Sequence, residues 1–395
     1  MKSAAAISYD LDDSVETARQ LADSIKGQLD LGKNSIGILL CDADTDGASV
    51  TRELKDLLGI DVAGMTTLAA MDSDGHHEAA IVLTVLTADD CRFVASVSES
   101  LAGGDHERKI AETYNNTVKD GSEYGPKPGV IFTFCPFSMS YSGDIYPDVL
   151  SRAVEGVPVM GGVASDDYDY ERARVFFSGN EYRDAMVIIS AWGNIKPVFA
   201  LRHVTSRFAE RIRRVVLAEG NTVYKVGDET FVEYLKGFGL KTDVDDPLLA
   251  FTSYPMMLTR EGNDETPLMR HILALNPDGS GVFFGDVPTG TLANICLVNK
   301  DDIVAACRES MNALLEEANK TRGYEYSTIF CISCCGRAMI LGSDSAAEGR
   351  ILAELKPEKM TLAGAYCLGE ICPARYKDGQ VANRFHNCSI TFCMF

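Results

Sequence analysis

The chain has 395 residues, 46% of them hydrophobic and 24% charged, which is ordinary for packed domains and excludes a largely disordered protein. Its formal charge of -20 repels nucleic-acid phosphates and anionic lipid, so no nucleic acid is expected as a partner. No apolar run reaches the ~18 residues of a membrane helix, so no membrane insertion is expected. Met1–Asp10 also lacks the apolar centre of a signal peptide. The expectation is a cytoplasmic protein whose 12 cysteines are reduced thiols.

Along the chain one pattern occurs three times. The first copy opens with the apolar run Ile36–Cys41, continues through a helical stripe of Val50, Leu54, Leu57 and Leu58, and returns as Ile60–Met65 and Ala80–Val85. Gly59 stands where a helix cap belongs. The second copy runs Val130–Cys135, a helix with Ile145, Val149 and Ala153, then Val157–Gly162 and Ala185–Ser190. Pro147 in that helix fits only near its first turn. The third runs Thr328–Cys335 as a strand, a helix with Ala347, Ile351 and Leu355, then Met360–Ala365 and Cys388–Phe392. Cys41/Gly64, Cys135/Gly161 and Cys335/Gly364 keep nearly constant spacings. Each copy reads strand, helix, strand, hairpin, strand. Further helices are expected over His106–Lys119 and along the stripe from Ile303 to Ala318.

The fold class is therefore α/β, with mixed sheets because of the hairpins. The Gly- and Asp-rich stretch Gly237–Pro247 and the prolines after it put a boundary near residue 240, giving domains 1–240 and 241–395.

The common catalytic signatures are missing: there is no Walker loop, no dinucleotide glycine motif and no serine elbow. A non-catalytic protein is the expectation. Asp42, Asp44, Asp46, Gly47 and Glu53 match calcium-loop spacing, but a strand precedes them where a helix is required, so an acidic helix-opening turn is expected. His76-His77-Glu78 holds too few ligands for a metal and reads as a solvated hairpin turn.

Cys331, Cys334 and Cys335, followed by Cys367 and Cys372, lack the paired spacing of a zinc ribbon. On a strand, Cys331 and Cys335 share one face and Cys334 takes the other. Cys335 at the strand end is the candidate reactive thiol, and a Cys-dependent enzyme is the corresponding alternative.

Strand ends in α/β sheets are where ligands bind. There Arg337 could clamp a carboxylate, Glu348 or Glu370 could receive an ammonium, and Asn387 could donate and accept. With Cys335, these form the candidate ligand site. The competing reading is an internal Arg–Glu pair. His203 and His271 are the candidate haem ligands of a haem or redox sensor.

The segment Val157–Asp166 resembles the Gly-Gly stretch of the FIST N-terminal domain. Cys335-Gly336-Arg337, Glu348, Ala363–Tyr366, Gly369–Ile371 and His386-Asn387 resemble the FIST C-terminal domain in order and spacing. The resemblance covers residues 30–390. It implies an intracellular sensory module in signal transduction that binds small molecules, amino acids among them. It offers haem, in a nitric-oxide sensor, as the alternative to having no cofactor. It also implies a signalling partner such as a histidine kinase or a cyclic-di-GMP enzyme to carry the output.

Overall fold

The structure, a computed structural model, describes residues 1–204, 211–259, 267–375 (Arg375 in its backbone alone) and 381–395. It is a mixed α/β fold with four sheets among the described residues.

Three six-stranded sheets are built on one plan. In each, a first strand pairs in parallel with the second and antiparallel with the last: Ser35–Cys41 with Asp61–Thr66 and Ile81–Thr87, Val130–Cys135 with Val159–Val163 and Val187–Gly193, Thr328–Cys334 with Thr361–Cys367 and Ser389–Met394. An antiparallel edge strand precedes each set: Lys2–Ser8, Cys91–Val97 and Val198–His203. The repeat read from the sequence is thus a structural one.

The hairpins extend it in an unexpected way. The first unit's hairpin, Ala69–Asp72 with Gly75–His77, joins the third unit's sheet beside Thr361–Cys367. The second unit's, Val175–Phe177 with Asn180–Tyr182, joins the first sheet beside Asp61–Thr66. The third unit's, Glu370–Arg375 with Val381–His386, joins the second sheet beside Val159–Val163. Each unit completes another, in a ring with threefold pseudosymmetry.

Strand alternation sends one face of each sheet to the middle. There Ile38, Phe132, Phe330 and Phe395 lie in one apolar cluster, with the Phe132 and Phe395 rings 5.0 Å apart. The outer faces carry the helices Ser14–Gln28, Gly47–Leu58, His106–Gly121, Ile145–Ala153, Lys300–Lys320 and Ala347–Leu355. In Gly47–Leu58, Asp46 caps the start by accepting from Ser49 N, and Val50, Leu54 and Leu58 are buried while Leu57 is exposed.

The recurring glycine has a steric cause. A β-carbon on Gly64 would fall 1.8 Å from Leu39 O, on Gly161 1.9 Å from Thr133 O, and on Gly364 2.8 Å from Cys331 O. Leu39, Thr133 and Cys331 are therefore equivalent, which makes Ser333, two residues on, the counterpart of Cys41 and Cys135. The reading of Cys335 as the third strand's end is corrected accordingly. The ladder stops at Cys334, and Cys335 opens a helix, Cys335–Leu341.

Between Val198–His203 and Lys300–Lys320 the third unit carries an insertion with its own eight-stranded sheet. The sheet's path ends at Leu268–Arg270 on one side and Ile272–Leu275 on the other, and His271 alone joins them. The sheet therefore curls into a barrel around Val215, Phe231, Tyr234, Met256 and Phe283. Residue 240 lies inside this insertion, and strands from both sides of it share two of the six-stranded sheets.

Candidate functional site

Arg337 and Glu348 meet as a sealed pair. Arg337 Nη2 donates to Glu348 Oε1 at 2.6 Å and to Ile303 O at 3.2 Å, and both side chains are 0% exposed. Ser333 Oγ and Tyr366 Oη donate to Glu348 Oε2 at 2.8 and 2.9 Å. The carboxylate thus takes donors from two strands and a helix. This arrangement ties secondary elements together, and neither residue is a wall of a described hollow.

Alternation along Thr328–Cys334 puts Ser333 on the Arg337–Glu348 side and Cys334 on the other. Cys334 Sγ lies 3.9 Å from His271 Nδ1, with the buried Glu370 nearby. Glu370 Oε2 accepts from Ser389 N and Oγ at 3.2 and 2.6 Å, and burial pushes its carboxyl up to about 8. Asn387 Nδ2 donates to His386 O at 3.0 Å. The pairings Glu370–His386 and His203–Ser389 gather these residues at the turn after Val381–His386, where the His203 and His386 rings are 5.2 Å apart.

Several of these buried groups are incomplete. Asn387 Oδ1, Arg337 Nη1 and His386 Nδ1 have no hydrogen-bond partner among the described residues, while Glu370 Oε1, His271 Nε2 and the His203 nitrogens close no well-formed bond there, with Cys334 approaching Glu370 and the backbones of Thr252 and Asn387 approaching His271 and His203. Buried polar atoms are rarely left so. Burial also holds the rings neutral, His203 down to about 3 and His271 to about 4.

Beside this cluster is a hollow of about 20 Å³ where barrel and ring meet. Its walls include His271 and Phe284 from the insertion, Cys335 and Met339 from the third unit, and Tyr168 and Tyr170 from the second. The loop bearing the tyrosines is held by Asp166, which accepts from the backbone N–H of Tyr168, Tyr170 and Arg172. Both tyrosines have positive φ, 75° and 62°, a conformation that costs on the order of 1 kcal/mol for such residues. Tyr168 Oη donates to Cys335 O at 3.3 Å. Tyr170 stacks on Phe137 at 4.9 Å and is also a wall of an outer cleft of about 450 Å³.

Residues 35–229 match the FIST N domain and residues 229–373 the FIST C domain. This chain belongs to the FIST family. FIST domains are sensory domains of signal transduction that bind small ligands. An uncharacterized protein of Methanocaldococcus jannaschii is 23% identical over 257 residues, which are 60% of this chain and 46% of that relative. The chain thus matches under half of that relative's length.

In this FIST protein the hollow lies between the two matched segments: Tyr168 and Tyr170 come from the first, His271 and Cys335 from the second. Of the residues singled out in the sequence, Cys335 lines it, Glu370 and Asn387 lie buried in the neighbouring cluster, and Arg337 and Glu348 pair with each other. Tyr168 and Tyr170 were not anticipated. Two aromatic residues in the acidic stretch Ser165–Glu171, directly after the Gly-Gly strand, were the available signal.

The space beside His271 is far smaller than a porphyrin, and His203 and His386 are enclosed. Among the described side chains, Asp166, Asp167 and Asp169 bring three potential ligand atoms within 4.8 Å of one another, which neither the cysteine group nor the Asp42–Asp46 turn does. Asp42 instead accepts from Asp44 N, and Arg172 pairs with Asp44. All twelve cysteines are free and buried. Burial pushes the Cys335 thiol up, away from the thiolate a nucleophile needs. The hairpin histidines are less solvated than expected: His76 packs edge-on against Tyr366, and His77 bonds Asp72 at 2.7 Å. Among the described residues no helix is long and apolar enough to cross a membrane.

Proposed function

We propose that this FIST protein is a non-catalytic sensor that takes a small molecule into the hollow between the barrel and the ring of units, beside Cys335 and beneath Tyr168 and Tyr170. The observation that carries this reading is the gathering of buried polar atoms without a well-formed hydrogen bond at that junction, His271 Nε2 foremost. Such atoms cost free energy unless something completes them.

A ligand held between two bodies favours one arrangement of them by its differential affinity. Arg270, next to His271, links barrel to ring by donating to Asp144 and to Phe385 O, so a change at His271 reaches that link directly. A partner such as a histidine kinase or a cyclic-di-GMP enzyme then reads the arrangement. Arg337 is committed to Glu348, so the carboxylate clamp an amino acid would use has to be supplied by other groups.

The test is a thermal-shift screen with amino acids and other small metabolites, on wild type and on Tyr170→Ala and Cys335→Phe variants. Ligand raises the melting temperature by mass action. A hit whose effect disappears when Cys335→Phe fills the hollow supports the site. A hit indifferent to both variants places binding elsewhere.

A further inference from the structure

Resting on that reading of the site, we infer that the buried end of the ligand is uncharged: a compact apolar or aromatic body with one hydroxyl-like group, which His271 Nε2 receives. The hollow's chemistry is the reason. Leu248, Phe284, Met339 and Leu368 give it apolar walls, and Gly336 contributes no side chain. The Tyr168 hydroxyl is already donating to Cys335 O, and Cys334 Sγ faces His271 Nδ1. Arg337 is not among the walls, and Glu370 lies outside them. An ammonium or carboxylate entering here would lose its hydration and meet no counter-ion, which is costly in a low-dielectric site.

One polar atom does face the need for a partner. His271 is 3% exposed, its ring is neutral, and Nε2 closes no well-formed hydrogen bond among the described residues, the Thr252 backbone approaching the ring without completing one. If the Cys334 thiol donates to Nδ1, Nε2 carries the proton and donates. If Nδ1–H points at sulfur, Nε2 accepts. A hydroxyl serves either tautomer because it donates and accepts, whereas a lone ether or ammonium serves one.

The space of about 20 Å³ holds little more than a water molecule, so a larger body displaces Tyr170. Tyr170 is suited to yield: its φ is 62°, its buried hydroxyl lacks a partner among the described residues, and behind it opens the cleft of about 450 Å³. The outer part of the ligand continues into that cleft.

The experiment uses the full chain with NMR observation of the histidine ring nitrogens, and four probes: phenol and cyclohexanol, benzoate and benzylamine. The neutral pair is expected to move the His271 Nε2 signal and to raise the melting temperature, and the charged pair to do neither. The melting shift is lost in His271→Phe and partly kept in His271→Gln, whose amide still bonds. Should His271→Phe not fold, the wild-type spectra and His271→Gln carry the test. Benzoate or benzylamine acting at His271 while the neutral probes are silent overturns the ligand class and leaves the site standing. Silence of all four at millimolar concentration overturns the site as well. A neutral-probe melting shift unchanged in both variants removes His271 from recognition.

Discussion

A β-carbon on Gly336 would fall 2.3 Å from Cε1 of His271, so the imidazole packs closely, Cε1 foremost, against the start of the helix Cys335–Leu341. The barrel's seam residue is thereby seated on the ring of units with no side chain between them. Gly336→Ala forces either the ring or the helix to move. Overpacking of this kind costs about 1–3 kcal/mol. The expected outcome is a lower urea midpoint and a displaced His271 ring signal. A variant with wild-type stability and an unmoved ring signal would show that the two surfaces are not in contact.

The Arg337–Glu348 pair is a second place where the chemistry is decided by burial. Both side chains are 0% exposed, and Glu348 takes donors from Arg337, Ser333 and Tyr366. Removing the guanidinium alone leaves a buried carboxylate short of its counter-charge, at a cost of about 3–5 kcal/mol. Arg337→Met is therefore expected to be strongly destabilised, while Arg337→Met with Glu348→Leu recovers at least half of the loss in denaturant unfolding. Equal stability of the single and double variants would mean that the pair is not isolated from water.

Periodicity made the repeated unit legible, because strand, helix and return strand each leave a pattern in one stretch of chain. The hairpin exchange left none: Ala69–Asp72 pairs with Thr361–Cys367, nearly 300 residues away, and nothing local selects that edge over its own. The barrel was likewise hidden, since strands as short as Leu268–Arg270 carry too little pattern. At the site, residue types were readable and pairings were not. Arg337 with Glu348 suits a clamp or a strut equally well, and residue types alone do not show that both side chains are sealed from solvent. Cys335 looked like the end of a strand because a short apolar run does not distinguish a strand from a buried helix start.

Glu370 gives the protein a pH signature with a definite sign. Burial raises its carboxyl from 4.5 to about 8 in the folded state. Between those values the folded chain keeps a proton that the unfolded chain releases. The stability this contributes is complete below the unfolded value and declines as pH rises toward the folded one, by at most about 1.4 kcal/mol per pH unit. Glu370→Gln keeps an oxygen to accept from Ser389 and removes the titration. Unfolding free energies of the two proteins should diverge as pH rises from about 5 to about 8, wild type losing ground, and run parallel above that. His271 and His203 shift the other way, to about 4 and about 3, so their contribution is present at neutral pH and lost on acidification in both proteins alike. A pH-independent difference between wild type and Glu370→Gln would mean that Glu370 is ionised throughout.

Arg270 and Asp144 join the barrel to the ring of units. The guanidinium, 1% exposed, donates through Nη2 to both Asp144 oxygens at 2.9 and 3.1 Å, through Nη1 to Phe385 O at 3.0 Å, and through Nε to Asp286 O at 2.9 Å. Asp144 Oδ2 also accepts from Asp286 N at 2.8 Å, so one carboxylate holds two points of the insertion. The barrel keeps its own apolar core around Phe231 and Tyr234. Asp144→Ala should therefore loosen the junction more than it melts the barrel. Such a broken buried charge pair costs about 3–5 kcal/mol. Hydrogen exchange should rise in Leu268–Leu275 and at the His386–Ser389 turn, with little change in Ser35–Cys41, whose sheet does not touch the insertion through this link. If the variant binds ligand normally but its junction exchanges fast with and without ligand, Arg270–Asp144 is the element that turns binding into movement. If ligand still slows exchange there as in wild type, the signal leaves the site by another path.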